Sequence, residues 1–193
     1  KRIRGIDFIF IPKFKDIYDT DKKSKIKIDI NDKILCAKFR KGHFEGVLDV
    51  MDRLTNLIKP KKIFMGKKDF QQLFLVKNFI EKKYQTKVIG CKTIRDKNKL
   101  ALSSRNILFN KDNLETARNI SKSFFLIKKK IEKHKNIEKF LLETKKKMQK
   151  KFKIKIEYLE LRNEKNLNVS KKFKGSILFV AYYLKDIRLI DNF

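Results

Sequence analysis

The sequence predicts an α/β chain, a parallel sheet layered with helices and followed by a small α+β unit. Three observations carry this. Short apolar runs and segments of helical period succeed one another over the first half, in the order strand, helix, strand, helix, strand. Beyond Asn106 two basic amphipathic helices are followed by alternating and continuous apolar strands. No Pro/Gly/Ser-rich linker separates these halves, so the boundary is placed near Arg95, giving units 1–95 and 96–193.

Taken in order, Ile6 to Ile11 is a nearly unbroken apolar run ended by Pro12, the pattern of an interior parallel strand. Lys13 to Ser24 is polar and turn-like, and Lys25 to Ile30 alternates with period two, predicting a half-exposed strand. Phe44, Val47, Met51, Leu54, Leu57 and Ile58 share one helical face, and Pro60 stops that helix. Ile63 to Met65 is predicted as a buried strand. Gly66 lets the backbone turn, and a helix then runs from Asp69 to about Lys83. Thr86 to Cys91 is another short strand. Leu114, Ala117, Phe124, Ile127 and Ile131 mark one later helix, and Ile137, Phe140, Leu141 and Met148 a second. Strands follow at Ile154–Tyr158 and Ser176–Leu184.

Composition narrows the function. The formal charge is +29, a value that ordinarily suggests nucleic acid or an anionic membrane. Only nine of the 51 basic residues are arginine, and Ile, Asn and Phe are abundant, a bias of A+T-rich coding that falls on surface positions. The lysine runs at 128–130 and 145–147 read as solvated helix faces, and His134 among them as bland. No apolar run has the roughly 20 residues of a membrane span. Cys36 and Cys91 are isolated, which indicates neither a zinc site nor a disulfide framework and suits a reducing cytoplasm. Neither G-x-G-x-x-G nor G-x-x-x-x-G-K-[ST] occurs, so a dinucleotide fold or P-loop NTPase lacks its signature.

The chemistry concentrates where the strand ending at Met65 meets the next helix. The first amides of a helix lack partners and the dipole is positive there, which favours an anion. Lys67 and Lys68 at that end each cost about 0.3–1 kcal/mol unless something negative is close. Lys68 and Gln72 are i and i+4 and share a face, whereas Gln71 is turned away and is assigned a solvated or structural role. Lysine is common enough here for such a pair to arise by chance. A second polar stretch, Ser103-Ser104-Arg105, is compatible with a plain turn, yet it also offers two hydroxyls beside a forked, permanently charged guanidinium.

Four blocks in order raise the specificity. Arg40-Lys41-Gly42-His43-Phe44-Glu45-Gly46-Val47, Phe64-Met65-Gly66-Lys67-Lys68-Asp69-Phe70-Gln71-Gln72-Leu73, Leu100-Ala101-Leu102-Ser103-Ser104-Arg105-Asn106 and the closing Arg188-Leu189-Ile190-Asp191-Asn192 resemble pantothenate synthetase. The family reads approximately R-P-G-H-F-x-G-V, F-G-E-K-D-F-Q-Q-L, D-G-L-A-x-S-S-R-N and R-L-I-D-N. The resemblance spans nearly the whole chain and implies a partial Rossmann-like nucleotidyltransferase domain with a C-terminal lid. It assigns Gly66, Lys67, Lys68, Asp69, Ile94, Leu102, Ser103, Ser104 and Arg105 to ATP and Gln72 to pantoate, with Lys68 and Arg105 neutralising phosphate charge. Arg40 and His43 fall beside the substrate pocket. Alone, His43 also reads as a cap or a satisfied core histidine.

The implied reaction condenses pantoate with β-alanine through pantoyl adenylate, releasing pyrophosphate and AMP. Mg²⁺ arrives with ATP and there is no resident protein metal. The implied partners are the small substrates and a second copy of the chain, with no membrane and no specific nucleic acid. Lys67 stands where the family has glutamate, Lys41 and Lys92 where it has proline, and Lys99 where it has the glycine of D-G-L-A. Nothing here matches the family's opening H-x-G-H block, so little or no synthetase activity is expected of these residues alone. The rival readings are a basic nucleic-acid-binding module and a related adenylyl-transferring enzyme with another acid substrate.

Overall fold

The computed structural model describes residues 5–18 and 26–193. Its elements are α1 (Phe14–Ile17), α2 (Leu35–Phe39), α3 (His43–Ile58), β1 (Lys62–Gly66), α4 (Phe70–Lys83), β2 (Lys87–Cys91), α5 (Lys111–Ile131), α6 (Ile137–Phe152), β3 (Lys155–Asn163), β4 (Ser176–Leu184) and β5 (Ile187–Asn192), with 3-10 turns at Ile30–Asp32, Lys67–Asp69 and Ser104–Leu108. Strands β1 and β2 pair in parallel, Ile63 beside Val88, and α4 makes the crossover that parallel pairing requires. Strands β3, β4 and β5 form an antiparallel sheet in that order, Leu159 beside Val180 and Ala181 beside Ile190. The α/β half followed by an α+β half is the predicted fold class.

Local chemistry sets the boundaries. Gly42, at φ +77°, opens α3, and Lys59 in the left-handed region closes it just before Pro60. Asn110 and Asn136 cap α5 and α6, each side-chain oxygen accepting the N–H three residues on, at 2.8 and 3.0 Å. Strand β4 is central and almost continuously apolar because both faces of its sheet are covered. One face packs on α5 and α6 through Ile120, Phe124, Leu178 and Val180. The other packs on α2, α3 and α4 through Tyr158, Phe179 and Ala181 against Cys36, Phe44 and Val76. The antiparallel sheet is thus the common wall of both cores.

Four expectations need correction. Ile6 to Ile11 is not a strand: it pairs with nothing among the described residues, and Phe8 and Ile11 are 93% and 84% exposed. Apolarity records that a segment favours cover but not whether a strand lies alongside to pair with it, and none of the described strands pairs with this one. Ile26 to Ile30 is not a strand either, although Lys25 lies outside the described residues. Ile26 and Ile28 alternate because they dip into the core beside α2, and Asp29 then accepts Asn31 N–H at 2.8 Å to start a 3-10 turn. The predicted turn at Lys13–Ser24 contains the short helix α1, and its later part lies outside the described residues. Strand β1 is half-covered, not buried, with Phe64 64% exposed, because helices pack on one face only.

Candidate active site

The site forms at the carboxyl end of β1. Gly66 has ordinary extended angles, φ −71° and ψ 132°, so the chain's own conformation does not require glycine there. A Cβ at this position would meet nothing within 4 Å. The space above it is open to something outside the chain. The backbone then makes one 3-10 turn and enters α4 with no side-chain cap. Its leading amides have no capping side chain, the condition for an anion site.

Lys68, Asp69 and Gln72 line a cavity of about 40 Å³ together with Arg40, His43 and Cys36. Tyr158 and Phe179, from the antiparallel sheet, contribute to its lining. The i, i+4 expectation for Lys68 and Gln72 is met in that both reach one cavity. Gln71 also borders this cavity, but its amide is spent on structure: its Oε1 accepts Ala37 N–H at 3.3 Å, and its Nε2 donates to Asp32 O and Ile34 O at 3.0 and 2.9 Å. Lys67 does not line the cavity; its stem lies across Gly90 of β2, where a Cβ would come within 3.1 Å of Lys67 Cε. A much larger cavity, about 620 Å³, lies between α6 and β3 and contains none of the predicted site residues.

Cations outnumber their partners here. Lys68 Nζ is a loose 3.9 Å from Asp69. Arg188 is already taken by Glu157, at 2.7 Å, and Asp191 by Arg95. His43 is held below the usual histidine range by burial first and then by Arg40, with Arg105 and Arg188 adding to the effect and Asp69 opposing it. Neutral near pH 7, His43 marks a place where Arg40 and Arg105 are both within electrostatic reach and no carboxylate compensates fully.

The second predicted stretch folds as a short antiparallel turn. Leu102 N–H donates to Ile94 O at 2.9 Å and Arg95 bridges Ala101, which sets Ile94 and Leu102 side by side, 66% and 53% exposed. Ser103 Oγ accepts Arg105 N–H at 3.3 Å, starting the 3-10 turn that holds Ser104 and Arg105. Arg105 Nη1 donates to Arg188 O on β5 at 2.8 Å. Asn192, at the other end of the same strand, donates to Lys67 O and Lys68 O. Strand β5 therefore borders both stretches. Sequence reading gave its Arg-Leu-Ile-Asp-Asn no role and did not predict the strand. The signal was a two-residue break, Lys185-Asp186, between apolar runs.

Among the described residues no group of three or more His, Cys, Asp or Glu could hold a metal ion. No described helix is long and apolar enough to cross a membrane. Both cysteines are free, and His134 stacks on Phe140, with ring centroids 3.9 Å apart.

The family model for pantoate-beta-alanine ligase matches residues 2–193. A pantothenate synthetase from Sulfurihydrogenibium sp. is 34% identical over 192 residues, covering 97% of this chain and 69% of that protein. One from Clostridium botulinum is 36% identical, covering 98% and 68%. The crystal structure of pantothenate synthetase from Thermus thermophilus superposes with a TM-score of 0.88 at 24% identity, over 98% of this chain and 70% of that one, a likeness of fold. Pantoate-beta-alanine ligase from Francisella tularensis, complexed with beta-gamma ATP and beta-alanine, gives a TM-score of 0.71 at 30% identity, over 93% and 61%. With open glycine, lysine-tipped turn and serine–arginine segment drawn around one strand, and a match from residue 2 to residue 193, this chain belongs to the pantoate-beta-alanine ligase family.

Proposed function

We propose that this chain binds the phosphates of ATP and serves the condensation of pantoate with β-alanine. In the first step a pantoate carboxylate oxygen bonds to the α-phosphorus as the bond to pyrophosphate breaks. In the second the β-alanine amine bonds to the acyl carbon, loses a proton, and AMP leaves. Such chemistry asks for positioning and charge neutralisation and needs no protein nucleophile. Lys68 and Arg105 neutralise phosphate oxygens, and Ser103 and Ser104 add hydroxyl donors. Ile94 and Leu102 give adenine an apolar surface, and the open space at Gly66 admits the phosphate chain beside backbone amides. Gln72 takes the pantoate hydroxyl and carboxylate as a neutral donor and acceptor. Mg²⁺ comes with the nucleotide.

The observation that carries this reading is the shared cavity of Lys68, Asp69, Gln72, Arg40 and His43, with Lys68 and Arg105 both hydrogen-bonded to strand β5. The 193 residues contain no H-x-G-H sequence, and by themselves they are proposed to bind nucleotide with little turnover. The same reading includes a homodimer, which sedimentation tests, and the units 1–95 and 96–193. Calorimetric titration tests the function. Lys68→Ala and Arg105→Ala are expected to weaken ATP at least tenfold each, as loss of a charge-assisted contact does, with adenosine unaffected. Equal ATP affinity in parent and both variants would remove the assignment.

A further inference from the structure

Strand β5 holds both segments assigned above to the ATP phosphates. At its end Asn192 Nδ2 donates to the backbone oxygens of Lys67, at 2.8 Å, and Lys68, at 2.7 Å. A side-chain amide nitrogen carries two hydrogens, and both are spent on this one turn. Four residues back, Arg188 O accepts from Arg105 Nη1. Asn192 is itself fixed, since its N–H donates to the Asp191 carboxylate at 2.8 Å and its carbonyl oxygen accepts from Arg95 Nη2 at 2.9 Å. Arg95 is forked on Asp191, at 2.7 and 2.8 Å, and lies over the rings of Phe125 and Phe193.

The Lys67–Asp69 turn has no cap of its own, and no side chain caps the start of α4. A single 3-10 turn with poor internal geometry is easily deformed. Its direction is therefore set from outside, by the amide that gathers two consecutive carbonyls onto β5. With those oxygens held toward the strand, Lys68 lines the cavity that His43 and Gln72 also line.

We propose that Asn192 is a positioning residue: it fixes Lys68 and the leading amides of α4 relative to Arg105, which is anchored on the same strand. The proposal rests on the assignment of those groups to phosphate. It requires two N–H donors at one point, so the sharp variant is Asn192→Asp, equal in shape and without the donors. Asn192→Ser, which keeps one hydroxyl donor, serves if the aspartate variant does not fold.

The test combines calorimetric titration of ATP and of adenosine with amide hydrogen exchange on the whole chain. ATP affinity is expected to fall about tenfold with adenosine affinity unchanged, the pattern of misplaced phosphate contacts. The Asp69 and Phe70 amides are expected to exchange faster. Unchanged ATP affinity, or an equal loss for ATP and adenosine, would overturn the proposal. Should the parent chain bind no ATP, the functional assignment falls by itself and exchange at Asp69 and Phe70 decides: faster exchange upholds the positioning role, and unchanged exchange removes it.

Discussion

Lys99 is held at φ +73°, in the left-handed region, where the resembling family has glycine. The turn cannot relax out of this conformation. Lys99 N–H donates to Asp96 O at 3.0 Å, and Lys99 O accepts from Arg95 Nη1 at 3.0 Å and from Ser121 Oγ at 2.8 Å. Asp96 Oδ1 meanwhile accepts the N–H groups of Asn98 and Leu100. The left-handed conformation costs a residue with a Cβ about 1–2 kcal/mol. Glycine relieves that cost but adds roughly 0.5–1 kcal/mol of unfolded-state entropy. Lys99→Gly should therefore stabilise the chain by about 0.5–1 kcal/mol, a rise in melting temperature of about 2–4 °C per kcal/mol for a chain of this size. Urea unfolding read by circular dichroism measures it. Lys99→Ala separates the causes, because it removes the charge and keeps the Cβ, and should leave stability unchanged within about 0.5 kcal/mol. If alanine stabilises as much as glycine, the reasoning from backbone strain is wrong and charge crowding is the cause.

Two further outcomes follow from the same corner of the fold. Arg95→Ala leaves the Asp191 carboxylate buried, 8% exposed, without its forked partner, and should destabilise by about 3 kcal/mol or more; Asp191→Asn in the same chain should recover part of the loss in urea unfolding. Burial works against ionised Asp96, but bonds from Arg118 and from the Leu100 and Asn98 amides outweigh it and hold the carboxyl below its ordinary value. A folded-state value below the unfolded one of about 3.9 contributes stability that is complete above that pH and lost as pH falls through the folded value. The stability difference between parent and Asp96→Asn should accordingly shrink in acid unfolding below about pH 4; a difference constant down to pH 2 would refute this.

The legible parts of the chain were those whose local chemistry is closed within a few residues. Pro60 marks the break before β1, and the helical period of α5 and α6 survives a heavy load of lysine because the buried stripe is apolar regardless of what solvent sees. Lys68 and Gln72 line one cavity as their spacing predicts, although Lys68 lies in the 3-10 turn before α4; the structural role of Gln71 was legible, its partners at Asp32, Ile34 and Ala37 were not. What stayed hidden depends on partners distant in sequence. Ile6 to Ile11 shows an apolar demand but not whether an edge exists to meet it. Strand β5 was hidden because its hairpin turn uses Lys185-Asp186, with Lys185 at φ +53°, where glycine or asparagine would have announced it. Lys67 looked equivalent to Lys68 until packing laid its stem over Gly90. Asn192 is 124 residues from the Lys68 carbonyl that it holds, beyond the reach of any local pattern.

How firmly the antiparallel sheet grips the α2–α4 layer matters to the site, because Arg40 and His43 come from that layer and Asn192 and Arg188 from the sheet. Cys36 lies on this seam, 6% exposed, its Sγ 3.1 Å from Tyr158 OH and 3.5 Å from Arg188 Nη2. Burial and the adjacent thiol push the Tyr158 phenol well above its usual range, so it stays a neutral partner. Cys91, at the end of β2, is exposed. The two thiols thus provide an internal comparison. Cys91 should react with an aromatic disulfide reagent in the native protein at the rate of a free thiol. Cys36 should react only when the seam opens, slower by a factor on the order of 10³ if opening costs about 4 kcal/mol. In denaturant both should react alike. If both label at similar rates under native conditions, the seam opens readily, the two halves do not share a firm wall, and the side chains of that layer and of the sheet cannot stand together as one site.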